Sequence, residues 1–396
     1  MLAFFVYICI MVSSDMRKVV IASDSFKGSL SSAEVAEAVS AGIHDIYPDC
    51  KVVKVCMADG GEGMISAIEG KVKAERAYAD VHDPLGRIIT ADYLIHEVDG
   101  RLTAIIEMAK ASGLTLLAQD ERNPLSASSY GTGELILNAF ERGCREFIIG
   151  LGGSATNDGG SGMLEALGVR FYDSFGNEIK GLNGSSIGRI CRIDMNCVEE
   201  ELSGCRFIAA CDVDAVFTGP QGASIVFSAQ KGADIGMTEE LEKGMKVFSK
   251  AIDSRFGSDI SSVKGSGAAG GLGGALYVFL AAELKIGSEL ILDIIGFDRL
   301  IQDADAVITG EGRIDDQTFM GKAPAGVAER AARYDIPVIA IGGMTDIRAS
   351  VPDIFSAVLP IGKRPETEEE LRYSMMPSVA KERIRKTIAD YLHKNS

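Results

Sequence analysis

Apolar positions come in short unbroken bursts near both ends of the chain and in more mixed patterns between them. Residues 18–22 (KVVIA) and 51–56 (KVVKVC) are β-branched runs that predict buried strands. Between them Ser31 and Glu34 stand at capping-box spacing, and Val35, Val39 and Ile43 recur at helical period. That is strand, loop, helix, strand, the opening of a parallel α/β sheet. The pattern then changes. Residues 88–96 and 101–108 flank Asp99-Gly100, a hairpin signal, and 147–151 and 206–211 read as further strands. A helix is expected at 135–141, opened by Tyr130-Gly131-Thr132-Gly133-Glu134, and another at 275–284, entered from a glycine run at 265–274. The first pattern returns at 306–309, with a helix around 323–333, a strand at 337–341, and charged helices at 368–373 and 378–393.

The simplest architecture joins the two ends into one doubly wound parallel sheet, residues 16–83 and 288–396, with 84–287 as an inserted α/β domain. In such sheets ligands bind outside the carboxyl ends of the strands. The polar loops at Asp24, Asp59, Glu311 and Gly342 each follow a strand, so they face one edge. The apolar run over residues 1–12 is too short to span a bilayer, which takes about 20 residues. It lacks a basic n-region, so residues 1–15 are expected to lie outside the fold, with Met16 as the functional start.

Composition narrows the classes. The 396 residues carry a net charge of −16, which argues against a general nucleic-acid or anionic-membrane partner. The eight cysteines form no CxxC, and reduced thiols in a cytoplasmic protein are the expectation. There is no GxxxxGK[ST] and no HRD/DFG pair. Phosphoryl transfer by another route would need cations for phosphate, carboxylates for Mg²⁺ and a base. Lys27, Lys231, Arg313 and Lys322 are cations set in glycine-rich or polar loops, with Asp59, Glu62, Glu311 and Asp315 beside them. Residues 152–160 form a glycine-rich strand-to-helix turn read as a phosphate cradle, in preference to a mere tight turn, because so many polar groups would be odd for packing alone. Asp212 and Asp214 are expected on one side of a strand end, suited to Mg²⁺ or to base work. Gly265-Ser266-Gly267-Ala268-Ala269-Gly270 matches GxGxxG, but residues 260–264 make a poor strand, so a dinucleotide site is disfavoured against close packing or nucleotide contact.

The blocks IASDSFKGSLSS, ADGGEG, IIEMAKASGL, YGTGELI, GLGGSATNDGGSGMLEALG, ACDVD, QKGA, GSGAAGGLGG and ITGEGRIDDQT with GKAPAGVA resemble the bacterial type of glycerate kinase over residues 16–360. The resemblance implies a flavodoxin-like domain interrupted by an α/β domain likened to restriction endonucleases. It also implies ATP- and Mg²⁺-dependent phosphorylation of D-glycerate, with 2-phosphoglycerate favoured over 3-phosphoglycerate, in a cytoplasmic enzyme compatible with a homodimer. The roles then expected are these. Lys27 and Arg313 neutralise the transferring phosphoryl group, and Asp212 orients or deprotonates the acceptor hydroxyl. Asp59, Glu62 and Glu311 are the Mg²⁺ candidates. Asp24, Ser25, Gly60, Gly61, Gly152, Gly153, Ser154, Thr156, Asn157, Lys231, Gly267, Gly270, Gly271, Gln317 and Lys322 bind substrate or nucleotide, in a site expected between the two domains. The competing classes are a nicotinamide- or flavin-dependent oxidoreductase, resting on GSGAAG, and a non-catalytic small-acid-binding regulator.

Overall fold

The computed structural model describes residues 16–58, 60–316, 318–319, 322–347, 351–363 and 365–395. The expected leader (1–15), Asp59 and Gln317 lie outside the described residues. The chain divides into two compact units.

The smaller unit comprises the described residues within 16–58, 66–68 and 288–395. Its sheet has five parallel strands, in the spatial order Ala357–Pro360, Val338–Asp346, Ala306–Asp315, Lys18–Ser23, Lys51–Cys56. Read from the Lys51–Cys56 edge and counted along the chain, that order is 2-1-3-4-5, the flavodoxin-like doubly wound arrangement. A parallel sheet covered on both faces wants unbroken apolar strands rather than alternation. Val19, Val20 and Ile21 accordingly lie wholly buried in succession. The helix Ser32–His44 starts as its sequence predicts. Ser31 Oγ accepts from the Glu34 amide (3.3 Å), and Glu34 accepts from the Ser31 amide (3.0 Å). Its apolar face (Val35, Val39, Ile43) shares one core with Ile384, Ile388 and Leu392 of the helix Pro377–Asn395.

The larger unit comprises Gly60–Ile65 and Glu69–Gly287. Its main sheet runs Glu283–Lys285, Arg206–Ala210, Glu146–Gly150, Arg101–Glu107, Ile88–Val98, Ala74–His82. The first four strands are parallel and the last two antiparallel. Asp99 and Gly100 both take positive φ (51° and 78°), which the tight hairpin requires. Phe147 stacks on Phe207 with centroids 4.7 Å apart, in a core that includes Phe171, Phe217, Phe248 and Phe279.

Three expectations change. The boundary at 83/84 moves back, because Ala74–His82 pairs antiparallel with Ile88–Val98 from Ala74 opposite His96 to His82 opposite Ile88. The helix expected at 275–284 spans Ala268–Phe279 and is followed by a strand at Glu283–Lys285. The strand expected at 306–309 continues to Asp315, because its polar second half pairs with Gly342 and with Met344, Thr345 and Asp346.

Candidate active site

In the smaller unit the strand order reverses between Lys18–Ser23 and Ala306–Asp315, where Ser23 lies beside Gly310. A crevice at such a reversal is where open α/β sheets bind ligands. The Asp24 amide donates to the Gly310 carbonyl (2.9 Å), and the Asp24 carboxylate accepts from the Ser25 amide (2.6 Å). Lys27 follows, its side chain exposed. Gly312 lies against that loop: a Cβ there would sit 3.3 Å from Phe26 Cα and 3.4 Å from Lys27 N. A Cβ on Gly343 would meet the Gly312 carbonyl at 2.6 Å. The loop after Lys18–Ser23 and the strand segments at Gly312 and Gly343 thus converge on backbone contacts that larger residues would push apart.

Glu311 occupies this edge with only 14% of its side chain exposed. It accepts a hydrogen bond from the Thr318 hydroxyl, which itself accepts from the Asp315 amide (3.0 Å). Lys322 Nζ lies 3.6 Å from the other Glu311 oxygen. Burial pushes the Glu311 carboxyl above its usual range, against the opposing pull of Thr318 and Lys322. Arg313 pairs with Asp346 (2.8 Å) and Asp315 (3.4 Å). Its guanidinium edges a cleft of about 330 Å³, lined also by Met344, Asp346, Pro365, Thr367 and Leu371. The unit therefore gathers Asp24, Ser25, Lys27, Glu311, Arg313 and Lys322 at one sheet edge.

In the larger unit the loop Gly60–Ile65 lies on Gly152 and Gly153. A Cβ on Gly61 would come within 2.4 Å of Gly152 Cα, so two backbones touch where side chains cannot fit. Gly60, at φ +71°, packs equally closely on Gly287 (2.5 Å). Glu62 is exposed, and its Oε2 would lie 3.6 Å from a Cβ on Gly153. Asp212 Oδ1 accepts from the Gly287 amide (2.7 Å).

The turn after Glu146–Gly150 departs from the expected phosphate cradle. Gly152 and Gly153 are accessible, but Thr156 and Asn157 are fully buried and Ser154 keeps 8% exposure. The helix Ser161–Ala166 has only six residues, and its first amides are taken by the chain itself. Asp158, buried, accepts from the amides of Gly160 (3.0 Å) and Gly162 (3.3 Å) and from Ser129 N and Oγ (both 2.8 Å). The group at this helix N-terminus is thus the Asp158 carboxyl, given no role from sequence, and burial pushes its pKa up against the pull of these bonds. Lys231 is likewise internal, bonded to Ser154 Oγ (2.8 Å) and the Thr156 carbonyl (2.7 Å).

The glycine run serves packing. Gly267 lies against the Val216 carbonyl (2.1 Å to a Cβ) and Gly270 against that of Thr156 (2.0 Å). Ala269, Gly270 and Gly271 all have positive φ, a left-handed kink inside Ala268–Phe279. Ahead of it stands a 3₁₀ turn, Ile260–Ser262, and no strand, so the βαβ frame of a dinucleotide site is missing there. The expected Asp212–Asp214 pair also separates. The strand ends at Ala210, so side-chain alternation stops before both residues, and Asp214 is 81% exposed and paired with Lys264 (2.9 Å). Glu107, given no role from sequence, is buried at its strand end and accepts from the Ile65 amide (2.7 Å), anchoring the Gly60–Ile65 loop. Burial raises its carboxyl pKa. An acid closing an apolar strand (AIIE) was the available signal.

A family model described as the glycerate kinase family matches residues 19–392. The chain is 45% identical over 351 residues to a glycerate 2-kinase of Escherichia coli K12, covering 87% of this chain and 91% of that one. It is 44% identical over 328 residues to a glycerate kinase of Halalkalibacterium halodurans, covering 83% and 86%. A crystal structure from Salmonella typhimurium LT2 that carries the name glycerate kinase 2 superposes with a TM-score of 0.78 at 40% identity, covering 96% of this chain and 98% of the other.

Proposed function

The chain belongs to the glycerate kinase family, and from that premise we propose that it transfers the γ-phosphoryl group of ATP to D-glycerate, with 2-phosphoglycerate as the favoured product. The observation that carries the reading is the set of cations and acids where the five-stranded sheet reverses order: Lys27, Arg313 and Lys322 beside Asp24 and Glu311. Phosphoryl transfer asks for little covalent help and much positioning of charge. Lys27, on the loop after Lys18–Ser23, and Arg313, on the strand Ala306–Asp315 beside Gly312, would neutralise the oxygens of the moving group. Asp212, tethered by the Gly287 amide, orients the acceptor hydroxyl or takes its proton. Asp24 and Ser25 fix the edge of the nucleotide site.

Mg²⁺, when bound, would supply positive charge to offset that of the donor phosphates. It usually takes one or two protein carboxylates and leaves its other positions to water and phosphate. Glu311 fits that need: a hard oxygen donor, mostly buried, oriented by the Thr318 hydroxyl. Among the described residues no group of three or more His, Cys, Asp or Glu side chains is arranged to hold a metal. Of the expected set, Glu62 and Glu311 would each offer a single carboxylate, with water and phosphate in the other positions, while Asp59 lies outside the described residues.

A cytoplasmic location goes with ATP as donor and with thiols such as Cys50 and Cys144 that are buried and unbridged. No helix among the described residues is long and apolar enough to cross a membrane. The oxidoreductase alternative loses its footing where Gly267 and Gly270 pack on carbonyls instead of leaving room for a pyrophosphate. Phosphorus NMR of the product made from ATP, Mg²⁺ and D-glycerate tests the reading. A phosphomonoester on C2 is expected. A product on C3 would correct the regiochemistry, and no transfer at all would overturn the activity.

A further inference from the structure

Lys231 is 2% exposed, and its ammonium makes both of its hydrogen bonds to one short stretch of the turn, Ser154 Oγ and the Thr156 carbonyl. An ammonium taken out of water is costly unless its protons are used. The bond to Thr156 fixes backbone, whereas the bond to Ser154 fixes a proton. A hydroxyl has one proton and two lone pairs. With a lone pair occupied by the ammonium, the Ser154 proton cannot point back at Lys231. Ser154 sits next to the accessible Gly153 and keeps 8% exposure, so it lies at the rim of the turn.

We infer that Lys231 is a positioning residue, holding the Ser154 hydroxyl as a donor aimed at an oxyanion of the substrates. This rests on the glycerate kinase reading above. The oxyanion is either the carboxylate of the acid or the transferring phosphoryl group, which share this chemistry. Burial brings Lys231 down to about 7, with Asp158 opposing the fall. Asp158 is the titratable group acting on it, its own carboxyl pushed up by burial, and the backbone of Arg122 flanks the same segment at Gly232. Once deprotonated, the amine gains a lone pair that competes with substrate for the Ser154 proton and draws it inward. The substrate-directed donor is lost as pH rises past neutrality.

The test measures kcat and KM for D-glycerate over about two pH units either side of neutrality, in the wild type, Ser154→Ala, Lys231→Met and the double variant. Ser154→Ala is expected to lose roughly tenfold or more in kcat/KM, the scale of a hydrogen bond to a charged group. The alkaline fall of the wild type is expected to vanish in both single variants. The double variant should be no worse than Ser154→Ala, because the two residues act as one unit. A loss carried by KM marks the carboxylate as recipient, and a loss carried by kcat marks the phosphoryl group. If circular dichroism shows Lys231→Met unfolded, the pH profile of Ser154→Ala decides alone. An alkaline fall that persists in Ser154→Ala, or losses that multiply in the double variant, overturns the inference. Absence of glycerate turnover in the wild type overturns the activity and this role together, whereas turnover with multiplying losses overturns this role alone.

Discussion

Arg313 has two carboxylates within 3.4 Å, yet 53% of its side chain is exposed. An exposed ion pair contributes about 0–1 kcal/mol to stability. A cation aimed at phosphoryl charge in a closed site is worth far more in rate, roughly 10²-fold, by analogy with other preorganised donors. Arg313→Ala and Lys27→Ala are therefore expected to cut kcat about 100-fold while the urea midpoint barely moves. A kcat close to wild type would make either residue a surface cation. Glu311 gives a second expectation, read through pH. Its carboxyl is raised by burial, so the folded state holds that proton more tightly than the unfolded chain. The resulting stability is present in full below the unfolded value of about 4.3 and is lost as pH rises through the raised folded value. Glu311→Gln should then gain urea stability over the wild type at neutral pH, the gain shrinking as pH falls through the raised folded value and gone below about 4.3, while kcat falls. A gain that does not change with pH would show that burial of the charge is not the cause.

Gly270 belongs to the scale of elements, because it joins the kinked helix Ala268–Phe279 to the turn carrying Thr156 and Asn157. Its φ is +69°, and a Cβ would lie 2.0 Å from the Thr156 carbonyl oxygen. Gly270→Ala must both strain the backbone and part the two elements, at about 2–5 kcal/mol. Gly257, which ends the helix Ile235–Phe256 at φ +64°, has nothing within 4 Å of a Cβ, so Gly257→Ala should cost only about 1 kcal/mol. Urea midpoints for the two variants compare overlap with strain alone, and equal losses would remove the packing role given to Gly270. The same contact explains what the sequence could and could not reveal. Lys51–Cys56, the Ser31 cap and the Asp99-Gly100 turn are local signals, and they stand where expected. Ala74–His82 was missed because its buried side is only Ala77, Ala79 and Val81, too small an apolar stripe to register. The glycine run enters its helix through the left-handed residues Ala269, Gly270 and Gly271, whose close contacts with distant chain no local pattern announces. At the site, polarity and glycine content disclosed the loops around Asp24, Glu311 and Gly152. They could not disclose that Lys231 and Asp158 turn inward, since burial depends on chain brought in from elsewhere.

At the scale of the molecule, a chain of net charge −16 is proposed to bind two anions, ATP and glycerate. The cations that receive them must then be local features rather than part of a general basic face. The larger architecture carries a further expectation. Each unit has its own apolar cluster, one around Val19, Ile21, Val35 and Ile341, the other around Phe147, Phe171, Phe217 and Phe248. The two clusters share no residue, and the smaller unit is assembled from segments far apart in sequence. Separate cores lose their cooperativity separately, so a single all-or-none transition is not required. Scanning calorimetry should give a calorimetric enthalpy larger than the van't Hoff enthalpy. Gly270→Ala should lower the melting of the larger unit alone. The chain has no tryptophan, so a tryptophan placed in one unit at a time provides a fluorescence reporter for each. ATP with Mg²⁺ at about 100 times its Kd should add about 2.7 kcal/mol to whatever folded unit binds it. That shift identifies which transition carries the nucleotide, and on the roles given to Lys27, Glu311 and Arg313 it is the smaller unit's. One transition with equal enthalpies, moved as a whole by both ligand and variant, would mean that the two cores unfold together.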